Sequence, residues 1–206
     1  MTYKLYGNKG SGSFPVEAAL AKVGAKVELV DFDLAKGDQN DPAFVAINPM
    51  KQVPALILPD GTLMTESAAM CIHLADAHPG KGLAPASGTP AHARFLRWMV
   101  FMATNLYEAD LRYFYADRYT TDPAGVEGVK ASGAQHMAKA CAIVEAALKD
   151  GPFLAGRDMS LADVYLAMLV KWSPEPVTAP HIAAIVGKVA ADPVYGPVAK
   201  RHGFAG

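Results

Sequence analysis

Cysteine is scarce in this sequence: Cys71 and Cys141 are the two thiols among 206 residues. Two cysteines make no disulfide framework, and these have no metal-ligand spacing. Both lie in apolar, helix-like surroundings, which predicts buried core thiols. Also missing is an excess of charge of one sign. Nineteen Lys and Arg stand against 20 Asp and Glu, for a net charge of −1. Residues 1–80 carry six Lys, no Arg and nine acids, while residues 81–206 carry 13 bases and 11 acids. Neither stretch has the basic footprint of a general nucleic-acid binder, so no nucleic-acid partner is expected. Long apolar runs are absent too: none reaches the ~18 residues that span a membrane. The opening MTYKLYGNKG lacks the apolar core of a signal peptide. The expectation is a protein of the reducing cytoplasm with no membrane partner. Six histidines occur singly and none is assigned to a metal.

What is present is core-forming. Hydrophobic residues make up 51% and charged residues 19%, which excludes a disordered chain and fits one large domain or two small ones. Residues 2–6 alternate as a short strand, a glycine-rich turn runs from Gly7 to Gly12, and a helix begins near Pro15 and leaves at Gly24. Residues 26–32 alternate again, so the first thirty residues read as a strand–helix–strand unit. After a short helical or irregular stretch from Asn40 to Asn48 come two strands, 53–58 and 62–64, joined by the hairpin signal Asp60-Gly61. A helix follows over 66–78. Residues 81–90, with Pro85 and Pro90 and two glycines, read as a linker. Beyond it the patterns are helical: 91–118, 126–149, 160–172, 179–191 and 194–202. The domains expected are therefore an α/β domain over 1–80, the linker over 81–90, and an all-helical domain over 91–206.

Several short pieces stand in a specific order. They are Asn48-Pro49-x-x-Gln52-Val53-Pro54-Ala55-Leu56, then Asp60-Gly61, then Thr65-Glu66-Ser67, then Leu74-Ala75-Asp76. Phe153-Leu154-Ala155-Gly156 and Ser160-Leu161-Ala162-Asp163 follow in the second half. In this order and spacing the chain resembles the cytosolic glutathione S-transferase family over nearly its full length, with likeness to both serine-type and bacterial beta-type classes. The resemblance implies a thioredoxin-like α/β N-terminal domain, an all-α C-terminal domain, and glutathione as co-substrate, with no metal or redox cofactor. It also implies a homodimer acting on a small hydrophobic electrophile in detoxification.

The resemblance carries roles onto particular residues. It makes Val53-Pro54 a cis pair whose Val53 backbone meets the cysteinyl part of glutathione, as an added strand would. Ser67 and its N–H take the γ-glutamyl carboxylate at a helix start, with Glu66 near the ammonium group. Gln52 faces the glycyl end, and Lys51 replaces the glycine usual before it. Asn105 reaches glutathione across the dimer. Tyr107, Tyr113 and Tyr115 either shape the electrophile pocket or pack internally. Ser160-x-x-Asp163 fits a helix capping box and carries no chemistry.

A free thiol titrates near pH ~8.5, so bound glutathione needs a donor that favours the thiolate. In Tyr6-Gly7-Asn8-Lys9-Gly10-Ser11-Gly12-Ser13 the candidate is Ser11, between two glycines and ahead of the helix. Ser13, expected to cap that helix, and Tyr6, at the strand end, remain open as alternatives. The cysteine of the beta-type classes is absent from this turn. The leading reading is a glutathione transferase. Its rivals are a glutathione-dependent disulfide reductase or peroxidase, and a non-catalytic glutathione-binding or interaction protein.

Overall fold

The computed structural model describes residues 2–204. By contacts the chain forms two compact units: residues up to Ala84 together with those from Val189 onward, and Pro85–Lys188.

In the first unit, β1 (Tyr3–Gly7) buries Tyr3, Leu5 and Gly7 and leaves Lys4 and Tyr6 half-exposed, the alternation of a strand with two different faces. Helix α1 (Phe14–Val23) has Pro15 in its first turn and ends on Gly24 at φ 70°, a left-handed exit that suits glycine. Strand β2 (Val27–Asp31) then pairs with β1 in parallel. A short helix α2 (Pro42–Ile47) leads to β3 (Ala55–Ile57), the turn at Asp60-Gly61 and β4 (Leu63–Met64). Strand β3 is shorter than the alternation of 53–58 predicts, because Pro54 has no N–H to give to a ladder. Helix α3 (Ser67–Ala77) packs with α1. The sheet order is β2-β1-β3-β4, with β3 antiparallel to both its neighbours. Leu5, Phe14, Leu20, Leu56, Met70 and Leu74 are buried in its core.

The pairing register decides where chemistry can gather. Tyr6 pairs with Ala55, and Leu56 pairs with Met64. The exit of β1, the entry to β3 and the exit of β4 therefore lie at one end of the sheet. The stretches 8–13, 51–54 and 65–67 all leave from that end.

In the second unit, α4 (Pro90–Phe101) starts from Thr89, whose Oγ1 accepts the His92 N–H. The single helix predicted over 91–118 is interrupted. A π-helical turn occupies Met102–Leu106, α5 covers Tyr107–Phe114, and a 3-10 turn covers Ala116–Tyr119. The cause lies in two polar side chains. Thr104 Oγ1 donates to the Val100 carbonyl at 2.9 Å, and Asn105 Nδ2 donates to the Phe101 carbonyl at 2.9 Å. These bonds compete with the regular ladder, and the Tyr107 N–H reaches Met102, five residues back. Helix α6 (Val126–Ala147) lies close against α5: a Cβ on Gly133 would stand 2.9 Å from the Ala109 carbonyl oxygen. Helix α7 (Leu161–Trp172) is buried along most of its length, and α8 (Pro180–Ala191) follows.

The last helix, α9 (Tyr195–Arg201), packs against α1 in the first unit rather than within the helical one. Nothing local in its sequence announces this; side-chain bonds described below hold it there.

Candidate functional site

The turn after β1 is built around one carbonyl. The Ser11 N–H donates to the Asn8 oxygen, closing a four-residue turn with Gly10 at φ 73°, the sign that a type II turn requires at its third position. Ser11 Oγ donates to the same Asn8 oxygen at 2.7 Å, and Ser13 Oγ donates to it at 3.0 Å. The two hydroxyls are 2.9 Å apart. Ser11 Oγ also accepts from the N–H groups of Asn8 and Ser13, each at 3.3 Å. Two amides aimed at one hydroxyl oxygen polarise its O–H and make it a stronger donor.

The serines differ in access. Ser11 is half-buried, whereas Ser13 is 2% exposed. Ser13 packs on Gly7, where an added Cβ would come within 2.6 Å of the Ser13 side chain. Ser13 stands at the N-cap position of α1 but makes no side-chain cap bond. The expected capping role is therefore corrected: its backbone is already helical (φ −74°, ψ −18°), and its hydroxyl turns to Asn8 instead. Strand alternation puts Tyr6 on the face opposite Gly7. There its ring packs on Phe32 and Phe44, at 5.9 and 5.5 Å between centroids.

Before β3, buried Asn48 organises the turn. Its Oδ1 accepts the Met50 N–H at 3.1 Å, and its Nδ2 donates to the Gln52 carbonyl at 2.8 Å. This fixes Lys51 and Gln52, both exposed, just ahead of the Val53–Pro54 bond, which is cis. Across the same end of the sheet, Glu66 precedes α3 and Ser67 is its first residue, with Ser67 buried. Lys51 and Glu66 are the two non-glycine residues with positive φ among the described residues, at 56° and 65°. Both belong to the stretches singled out for glutathione, and backbone held in such sparsely populated regions gathers at ligand sites. Lys51 occupies a left-handed position where glycine would be unstrained, which fits the glycine that the resemblance implies there.

Asn105 belongs to the second unit and is engaged within it. Besides bonding Phe101 it donates to Thr104 Oγ1 at 3.1 Å, and its Oδ1 pairs with His136 Nε2 at 3.2 Å. Tyr107 packs on Trp172 with ring centroids 5.3 Å apart. The Arg118 guanidinium lies 4.1 Å from the ring centre of Tyr115. Sequence patterns give no role to Asn8, Glu17 or His202, and mark Asn48 as part of a motif without showing what it does. Asn8 and Asn48 act through backbone bonds to near neighbours, a role common to any Asn in a turn. Glu17 and His202 meet across 185 positions.

The relatives of the chain decide its family. The glutathione S-transferase N-terminal domain matches residues 1–76, and the C-terminal domain matches residues 107–188. Glutathione S-transferase GstA of Escherichia coli O157:H7 is 31% identical over 171 residues, covering 82% of each chain. The chain belongs to the glutathione S-transferase family. Among solved structures, a glutathione transferase homologue from Sulfitobacter with bound glutathione superposes with a TM-score of 0.89 at 28% identity, over 97% of this chain and 98% of that one. A sphingomonad glutathione S-transferase complexed with glutathione gives 0.82 at 31% identity, over 97% and 98%. The α/β unit with its mixed sheet and the helical unit are the two parts of the glutathione S-transferase fold.

Within that fold neither cysteine is placed for chemistry. Cys71 is fully buried, and burial raises its pKa. Burial, with the Asp110 carboxyl nearby, pushes the Cys141 thiol up to about 11. Among the described residues no group of three or more His, Cys, Asp or Glu side chains suits a metal ion, and no single helix is long and apolar enough to cross a membrane.

Proposed function

We propose that this protein is a glutathione transferase in which Ser11 stabilises the thiolate of bound glutathione. One observation carries the reading: the Ser11 turn, the cis Val53–Pro54 pair and the Glu66-Ser67 helix start leave from one end of the sheet, in a chain that belongs to this family. The Val53 backbone pairs with the cysteinyl residue, Ser67 and the α3 amides take the γ-glutamyl carboxylate, and Glu66 meets the ammonium group. Gln52 faces the glycyl carboxylate, and Asn105 contributes from the second copy. Residues 1–80 serve glutathione, 81–90 link, and the helical domain runs from 91, with α9 returned to the first unit.

The chemistry needs little of the protein. The thiol proton passes to water, and the Ser11 hydroxyl turns its hydrogen toward the sulfur. The Ser13 hydroxyl and the Ser11 N–H keep the Asn8 carbonyl satisfied when the Ser11 hydroxyl turns away. The thiolate attacks an electrophilic carbon, a carbon–sulfur bond forms, and the leaving group departs with its electron pair. Favouring the anion also draws on the N-terminal end of α1. The acceptors are small hydrophobic electrophiles and the role is detoxification in the cytoplasm. The active form is a two-fold homodimer, for which exposed Met50, Leu63 and Val100 offer apolar surface to a second copy.

The test pairs conjugation of glutathione to a chlorinated aromatic with reduction of a glutathione mixed disulfide. Conjugation that saturates with glutathione, with little disulfide reduction, is the expected result. Disulfide reduction without conjugation would overturn the transferase reading, and absence of both with no calorimetric binding of glutathione would overturn the site.

A further inference from the structure

The C-terminal helix brings a histidine to the turn that carries Ser11. His202 is buried at the end of α9, and its Nδ1 lies 3.1 Å from the Gly10 backbone nitrogen. An amide N–H can only donate, so Nδ1 is the acceptor and the ring proton sits on Nε2. That Nε2–H points at Glu17 Oε2, 3.0 Å away on α1. Glu17 is buried as well, and its Oε2 also accepts from Arg201 Nη1 at 2.7 Å. Arg201 spends its other nitrogen on Asp31 at the end of β2, at 2.8 and 2.6 Å to the two carboxylate oxygens. The imidazole is held on its faces too. Phe14 meets it edge-on at 5.4 Å, and Phe204 stacks on it at 6.0 Å and 15°. The ring plane and both ring nitrogens of His202 are thus held by the turn after β1, by α1 and by Phe204. This chain of bonds runs from Asp31 through Arg201, Glu17 and His202 to the Gly10 amide, next to Ser11.

We propose that His202 is a positioning residue for thiol activation: by holding the Gly10 N–H it sets the turn that aims the Ser11 hydroxyl at the glutathione sulfur. The proposal rests on the Ser11 reading above and adds a residue at the far end of the chain. Gly10 is the pivot of the turn, in a conformation that glycine tolerates and that any slackening would let rotate. The Glu17 carboxylate at Nε2 fixes the orientation of the ring and leaves Nδ1 for Gly10.

Three variants separate the bonds. His202→Asn keeps an acceptor near the position of Nδ1 and loses Glu17. His202→Gln keeps a donor near the position of Nε2 and loses Gly10. His202→Phe keeps the ring packing and loses both. The readout is thiolate absorbance of the glutathione complex across pH, with kcat and KM at neutral pH. In His202→Phe and His202→Gln the thiol titration should move up by about one unit and kcat fall up to about tenfold, the change in thiolate fraction that one pKa unit makes. KM for glutathione should stay within about twofold, since the contacts that bind glutathione are elsewhere. His202→Asn should restore most of the wild-type titration. Equal behaviour of the Asn and Gln variants would overturn the proposal, and that comparison stands even if the Phe variant fails to fold. An unmoved titration in the Gln variant would overturn it as well. Ser11→Ala is measured alongside: if it shifts the titration and the His202 variants do not, only the His202 proposal fails. If Ser11→Ala shifts nothing, the reading of Ser11 fails and takes this proposal with it.

Discussion

At the scale of single residues, the site is a set of backbone positions more than a set of reactive side chains. Lys51 and Glu66 have positive φ, Gly10 turns the loop, and Asn8 and Asn48 hold turns through main-chain bonds. Sequence patterns single out Ser67 and Gln52 because the family fixes residue types there. They favour Ser11 and leave Ser13 and Tyr6 open, because neighbouring hydroxyls have the same chemistry until their burial is known. Ser67 tests the binding half of the account. As first residue of α3 it sits among the helix amides that lack intrahelical partners. Ser67→Ala removes a hydrogen bond to a charged group, worth about 1.5–3 kcal/mol, so glutathione affinity should fall roughly ten- to hundredfold. Calorimetry measures this directly, and unchanged affinity with an unchanged melting temperature would demote Glu66-Ser67 to a helix start with no ligand.

At the scale of elements, helix starts and stops were legible and interruptions were not. The capping box at α7 is formed as its spacing predicts. Asp163 Oδ2 accepts the Ser160 N–H at 2.8 Å, and its Oδ1 accepts the Leu154 N–H at 2.9 Å. The Leu154 bond is an addition that spacing does not show, and it ties the preceding loop to the helix. Asp163→Ala loses the cap, about 0.5–2 kcal/mol, and strands a buried amide, about 1–3 kcal/mol more. Its melting temperature should drop by several degrees while turnover per folded molecule is kept. Wild-type melting with lost turnover would contradict a structural role. The π turn at 102–106 was not legible, because apolar periodicity continues through it and only Thr104 and Asn105 betray the break. One helical turn further on, Asp110 on α5 is buried with neither carboxylate oxygen bonded. Burial pushes its carboxyl up to about 8 from a usual value near 4. The folded protein then holds a proton that the unfolded chain has released, so stability falls as pH rises from about 4 to about 8 and levels off beyond. Asp110→Asn should flatten this slope and melt above the wild type at pH 9. Parallel melting curves for the two proteins across pH 5–9 would show that Asp110 ionises freely.

At the scale of the whole molecule, the order of elements and the start of the helical half could be read along the chain, but the destination of α9 could not. Its tie to the first unit is Arg201 and His202 meeting Glu17 and Asp31, pairs separated by 170 to 185 positions, and separations of that size leave no periodic trace. Oligomeric state belongs to this scale as well: light scattering should give a dimer of about twice 21.7 kDa at micromolar concentration. A stable monomer there would contradict the contribution of Asn105 from a second copy. The claim on which the rest depends is that a serine hydroxyl, that of Ser11, makes bound glutathione a nucleophile at neutral pH. Thiolate absorbance of the glutathione complex, titrated from pH 5 to 10, tests it most directly. In the wild type the thiol should ionise well below its free value of ~8.5. Ser11→Ala should raise that midpoint by about one to two units, each unit being ~1.4 kcal/mol of lost preference for the anion, and Ser13→Ala should raise it by less. A midpoint that stays in place in Ser11→Ala, or that moves further in Ser13→Ala, would contradict the account.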